Sequence, residues 1–135
     1  MPAPPRSLLD TDVVVLHFRG HPQVAARMEE YQRHHGEFEL SVVSYYELER
    51  GAETNAQKYQ MWRRFVGLCH IIELDQAVAD QAAHIYKALA SRGDLIPDAD
   101  LLIAATAVTH GLTLVTHNTQ HFSRVAGLQI MDWIV

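Results

Sequence analysis

The chain has 135 residues, of which 48% are apolar and 20% charged, and a formal net charge of −5. That much apolar sequence in one domain's length excludes a disordered chain, and the acidic balance excludes a protein that coats nucleic acid through a broadly basic surface. Cys69 is the sole cysteine, which excludes an intrachain disulfide and a thiolate zinc cluster. The first residues carry prolines but no apolar signal-peptide core, and no run reaches the roughly 20 apolar residues of a membrane span. The expectation is a single domain over residues 1–135, reduced and cytoplasmic.

Ser7-Leu8-Leu9 reads as a short buried strand ending at Asp10, and Thr11 to Phe18 as a helix with Asp10 or Asp12 at its start. Pro22 opens a second helix with Val24, Met28 and Tyr31 on one face, stopped by Gly36. Phe38 to Val42 alternates as a second strand. Ser44 to Arg50 is helical and ends at Gly51. Tyr59, Trp62, Phe65 and Val66 mark an amphipathic helix, and His70 to Leu74 a third strand. Gln76 to Arg92 is a helix with Val78, Ala82, Ile85 and Leu89 on one stripe, closed by Gly93. Pro97 starts a helix that runs to His110 and is apolar on nearly every side across Leu101 to Ala105, so it belongs in the centre. Gly111 caps it, Leu112 to Thr116 is a strand, and Leu128 to Met131 is the last. Strands alternating with helices predict an α/β fold: three layers, α/β/α, around a central, mainly parallel sheet. In such a sheet, ligands gather at the C-terminal strand ends near the topological switch point.

Four segments place polar groups there. Leu8-Leu9-Asp10-Thr11-Asp12 delivers Asp10 from an apolar strand; Asp10 is read as functional and Asp12 as a helix cap. In Ser44-Tyr45-Tyr46-Glu47, Ser44 and Glu47 fit a capping box, and Glu47 can still point into a site at the helix start; Glu49 and Glu53 are read as solvated. Pro97-Asp98-Ala99-Asp100 opens the apolar helix with two acids that suit its positive end. Two residues apart, they cannot share a helix face. Asp100 abuts the apolar run and is assigned to the site, Asp98 to the cap. Thr116-His117-Asn118-Thr119-Gln120-His121 ends a strand in small polar groups; it reads either as an Asx-rich loop or as Thr116 and Asn118 brought beside Asp10.

Asp, Glu and Asp on separate segments suit Mg²⁺ or Mn²⁺, which take hard oxygen ligands. No Gly-rich phosphate loop, GxSxG or HExxH competes for the chemistry. Together LLDTD, SYYELERG, PDADLLIAATA, LVTHNTQHF and the terminal GLQIMDW resemble the landmarks of VapC-type PIN-domain toxins, over nearly the whole chain. The resemblance implies a PIN-like fold and an endoribonuclease that hydrolyses RNA with Mg²⁺ or, in substitution, Mn²⁺. It implies Asp10, Glu47 and Asp100 as catalytic acids, with Asp10 and Asp100 as principal metal ligands and Thr116 and Asn118 as support. It also implies a homodimer and a co-encoded, VapB-like antitoxin.

Two positions depart from that pattern. Asp12 stands where many members have Asn, and His121 where many have a fourth acid. His121 is therefore open to three readings: metal support, a contact or proton acceptor for RNA, or a surface residue before a core Phe122. Arg19, Arg50, Arg63, Arg64 and Arg92 could guide an RNA backbone or pair with nearby acids. Two other functions fit Asp10-Thr11-Asp12 after a strand: a haloacid-dehalogenase-like phosphatase, which wants a phosphate-clamping Lys that Lys58 and Lys87 do not obviously supply, and a non-catalytic α/β binding module.

Overall fold

The computed structural model describes residues 2–52 and 54–135. Its strands are β1 (Ser7–Leu9), β2 (Phe38–Ser41), β3 (Cys69–Ile72), β4 (Thr113–Val115) and β5 (Ile130–Met131). They form one sheet in the order β3-β2-β1-β4-β5, every neighbouring pair parallel. The helices are α1 (Thr11–Phe18), α2 (Pro22–His35), α3 (Val42–Arg50), α4 (Ala56–Val66), α5 (Gln76–Ser91), α6 (Asp98–His110) and α7 (Thr119–Phe122).

Parallel strands need crossover helices, and those helices cover both faces. Successive residues of β1 therefore enter different cores. Leu8 packs with α5 and α6 through Val78, Ile85, Leu101 and Ile103, and Leu9 packs with α1, α2 and α4 through Val13, Val24, Met28 and Phe65. Leu8 and Leu9 are wholly buried, and each such side chain contributes about 2 kcal/mol of apolar burial. Ile103, Ala104, Ala105 and Ala107 are wholly buried, so α6 is the central helix its composition predicts.

Turn chemistry sets the boundaries. Gly36 ends α2 with φ 80° and Gly111 ends α6 with φ 65°, conformations that cost a side-chain-bearing residue strain. One boundary differs from the sequence reading. β2 passes into α3 without a linker: Ser41 is both the last strand residue and the cap, its hydroxyl accepting from the Ser44 N–H at 3.0 Å. Ser44 is thus inside the helix and wholly buried, and the Ser44–Glu47 capping box does not form. The segment after Asn118 is also more ordered than the expected loop, forming the short α7, whose Phe122 is wholly buried. No described helix is long and apolar enough to cross a membrane.

The sheet turns from one direction of growth to the other between β1 and β4. Their C-terminal ends, Leu9-Asp10 and Val115-Thr116, lie side by side, with the Asp10 N–H donating to the Val115 carbonyl at 2.9 Å. This is the topological switch point, and the polar residues meet there.

Candidate active site

Asp10 leaves β1 and caps α1, its Oδ1 accepting from the Thr11 N–H at 2.8 Å. Its Oδ2 accepts from the Thr116 hydroxyl at 2.8 Å. Asp10, not Asp12, is therefore the cap of α1. Asp12 sits in the first turn of α1, and its Oδ2 accepts from the His117 N–H at 3.2 Å. Asp10 is 4% exposed. Burial pushes its carboxyl up to about 8, and the negative charge of Asp12 pushes the same way against the donors Thr116 and Thr11. Asp12 is raised too, again by burial first, with Asp10 and the His117 N–H holding it back. Asp12 Oδ1 is buried and has no hydrogen-bond partner among the described residues.

α3 adds Glu47. Thr11 donates its hydroxyl to Glu47 Oε1 at 2.7 Å and lies 2.9 Å from Ser44 Oγ, which ties the start of α1 to α3. Glu47 thus reaches the edge of the site one residue from Asp10. Glu49, expected in solvent, instead holds α3 to α4: it accepts from the Tyr59 hydroxyl at 2.6 Å and from Trp62 Nε1 at 2.5 Å, and lies 3.5 Å from Arg63. Those two donors depress its carboxyl below the usual range. Glu53 lies outside the described residues.

α6 and the β4–α7 turn close the other side. Asp98 is exposed, and the N-cap of α6 is Pro97 with no side-chain cap bond, so Asp98 does not cap. Asp100 faces the turn. His121 Nδ1 lies 2.9 Å from Asp100 Oδ2, and Asn118 Nδ2 lies 3.5 Å from the same oxygen and 3.0 Å from Nδ1. The Asn118 N–H donates to Thr116 Oγ1 at 2.9 Å. The Thr116 hydroxyl thus joins the two halves, giving one at Asp10 and taking one from the residue that bears on Asp100. Thr116 bonds to Asp10 and Asn118 lies against Asp100, and His121, its side chain 34% exposed, contacts Asp100. The described residues include no three of His, Cys, Asp or Glu placed to hold a metal ion unaided.

The PIN domain family matches residues 7–128. The chain belongs to the PIN-domain family. Its sequence is 33% identical over 133 residues to the tRNA(fMet)-specific endonuclease VapC of Shigella flexneri, covering 93% of this chain and 96% of that one. It is 35% identical over 127 residues to Ribonuclease VapC1 of Methanocaldococcus jannaschii, covering 93% and 86%. Its fold is similar to the DNA-bound crystal structure of VapBC from Salmonella typhimurium, with TM-score 0.85 and 25% identity over 96% of this chain and 99% of that one. Within the PIN domain, the VapC ribonucleases are its relatives. That likeness favours neither rival reading, and Lys58 and Lys87 lie on α4 and α5 rather than in a phosphate-clamping turn.

At the candidate site, the sequence reading did not foresee the Thr11–Glu47 contact or the Ser44 hydroxyl behind it, and it named His121 as a support without foreseeing its approach to Asp100. Only the last left a signal, as a polar residue where the family resemblance wants an acid. The candidate arginines are largely engaged elsewhere. Arg63 donates to the Tyr45 hydroxyl, Arg92 donates to the Arg124 carbonyl, and Arg50 lies over the Tyr46 ring.

Proposed function

We propose that this PIN-domain protein is a Mg²⁺-dependent endoribonuclease, with Mn²⁺ as a substitute, and the toxin of a VapBC-type pair. The observation that carries the reading is the continuous path Asp10–Thr116–Asn118–Asp100, which spans the switch point of the sheet with acids at both ends. The donor set fits a hard cation. Asp10 is a carboxyl raised first by burial and then by the charge of Asp12, Asp12 presents a buried oxygen without a partner among the described residues, and a cation would relieve both. Asp10 and Asp100 would hold it, with water and phosphate oxygens completing the shell as Mg²⁺ ordinarily requires.

A divalent ion bound there supplies charge neutralisation at the phosphate and a more acidic water. The chain's own groups do the rest. Thr116 and the Thr11 N–H orient Asp10, Asn118 and His121 orient Asp100, and Thr11 holds Glu47 at the rim, where its free oxygen can position a water for attack on phosphorus. The relatives' names as ribonucleases support RNA as substrate, and the VapBC complexes among the similar structures support a VapB-like antitoxin; to these the reading adds a second copy as homodimer and a basic antitoxin side chain among the acids. A cavity of about 440 Å³ between α1, α3 and α4, lined by Val15, Phe18, Arg19, Leu48, Lys58, Met61 and Trp62 and by none of the candidate acids, is where we place an antitoxin segment.

The test uses the full chain freed of antitoxin. It should cleave RNA with Mg²⁺ or Mn²⁺ and stop with EDTA. Asp10→Asn and Asp100→Asn should each lower the rate at least about a hundredfold, since the ion contributes several kcal/mol and each 1.36 kcal/mol is a decade. Undiminished cleavage in either folded variant removes that residue from the site.

A further inference from the structure

The outward face of α3 carries a feature that the acids do not use. Tyr45 and Tyr46 precede Glu47, and with Val42, Glu49 and Arg50 they line a shallow cleft of about 280 Å³. A helix turns about 100° per residue. Running round α3 from Glu47, the residues of the cleft therefore follow in the order Arg50, Tyr46, Val42, Glu49, Tyr45. The two tyrosines are its walls, and Arg50 stands between the cleft and Glu47.

The walls differ. Tyr45 is clamped by α4: Arg63 donates to its hydroxyl at 2.7 Å, the same guanidinium lies 5.8 Å from its ring centroid, and the Trp62 ring lies 6.0 Å away. Tyr46 is 58% exposed, with the Arg50 guanidinium 5.1 Å from its centroid. Glu49 gives one oxygen to Tyr59 and the other to Trp62. The cleft thus presents ring faces and one cation rather than a hydrogen-bonding pattern. An exposed cation–π pair alone stabilises a helix little and needs no cleft beside it.

That chemistry matches one nucleotide of a single strand. A base of any identity stacks on an aromatic face, and the N–H edge of a guanidinium bonds phosphate. Arg50 is the helical neighbour of Tyr46 at i+4 and of Glu47 at i+3, about 5–6 Å away in each case. A base on Tyr46 therefore puts its phosphate at Arg50, and the strand continues past Glu47 towards Asp10. The chain's net charge of −5 gives it no broad basic surface to hold RNA, and stacking needs none.

We propose that the Tyr45–Tyr46 cleft, with Arg50 at its rim, is a subsite that stacks one unpaired nucleobase of the RNA substrate beside the bond that is cut. This rests on the reading of the protein as a ribonuclease and adds where the strand runs. A base paired in a duplex has no free face to offer, so the subsite selects loops and single strands.

The experiment mixes the full chain, freed of antitoxin and held in EDTA, with short oligoribonucleotides that carry 2-aminopurine at successive positions. Stacking should quench the fluorescence at one position. Tyr46 is exposed, so replacing it opens no core. Tyr46→Ala should abolish the quenching and weaken binding at least about fivefold, the low end for one base–aromatic stack. Tyr46→Phe should keep both. Arg50→Gln should reduce the salt dependence of binding by about one phosphate contact, a slope change of about 0.7. No quenching at any position in the parent overturns the proposal, and so does quenching that persists in Tyr46→Ala. A parent dimer that becomes a monomer in Tyr46→Ala by light scattering, with RNA binding unchanged, also overturns it, because the face is then a contact between copies. Under any of these results, Mg²⁺-dependent RNA cleavage that is lost in Asp10→Asn keeps the nuclease reading. A parent that shows the quenching but cuts no RNA overturns the nuclease reading and keeps the cleft.

Discussion

Replacing Thr116 by Val tests whether one hydroxyl holds the two halves of the site together. The side chain is wholly buried and Val has nearly its shape, so no cavity opens. What is lost is the bond given to Asp10 at 2.8 Å and the bond taken from the Asn118 N–H at 2.9 Å. A buried polar group left without its partner costs about 1–3 kcal/mol. Asp10 is buried and falls in the middle of that range, whereas Asn118 is half-buried, reaches water and falls at the bottom, so the sum is about 3 kcal/mol. For a chain of this length, each kcal/mol moves Tm by about 4 °C, giving a drop of roughly 10 °C. Thr116→Ser keeps both bonds and loses one methyl, about 0.8 kcal/mol or roughly 3 °C. Thermal unfolding by circular dichroism of the metal-free parent and both variants measures the difference, and RNA cleavage should fall in the same order. A Val variant as stable as the Ser variant would refute the reasoning, because the hydroxyl would then not be what secures Asp10 and Asn118.

In the metal-free protein, the raised Asp10 carboxyl makes its stability contribution full below about pH 4 and loses it as pH climbs through about 8; Tm should therefore fall between pH 5 and 8 in the parent and fall less in Asp10→Asn, and parallel curves would count against a buried, protonated Asp10. Glu49→Gln should loosen α4 from α3 by weakening the bonds to Tyr59 and Trp62, read as faster hydrogen exchange across Ala56–Val66, and unchanged exchange there would assign Glu49 no such role. The Cys69 thiol, pushed up to about 12 chiefly by burial, should resist iodoacetamide at pH 8 until the protein is denatured; rapid native alkylation would contradict its packing. Leu9→Ala, at a wholly buried position of β1, should cost about 2–5 kcal/mol in urea unfolding, whereas a loss below about 1 kcal/mol would show that the core beneath Asp10 is loosely packed.

Much of this architecture is written locally. The 3.6-residue stripe of α5, the apolar run of α6, and the punctuation by Pro22, Gly36, Gly93, Pro97 and Gly111 each act within a few residues, and each element stands where those signals put it. The join at Ser41 was not legible for a tertiary reason. The β2–β3 ladder continues to Ser41↔Ile72, which keeps that residue extended until the moment it caps α3, and a local motif search finds Ser44-x-x-Glu47 instead. Likewise, Asp10 and Thr116 stand 106 positions apart in the chain, and Thr11 and Glu47 stand 36 apart. Nothing local says that these side chains meet. What the sequence does carry is the rule that polar groups at C-terminal strand ends share one edge, which selects the right segments without selecting the right contacts.

The residues at that edge do two jobs that pull against each other. Asp10 stabilises α1 as its cap, an arrangement that favours the ionised carboxylate, while its burial beside Asp12 opposes ionisation and wins. A sequence selected for stability alone would place Asn or Ser at position 10, keeping the cap and removing the buried charge. In the free protein a proton neutralises Asp10; on the proposed reading, a cation during turnover or a basic side chain of the antitoxin would take that proton's place. Binding of either would then raise the stability of the protein by an amount that grows with the logarithm of ligand concentration over Kd.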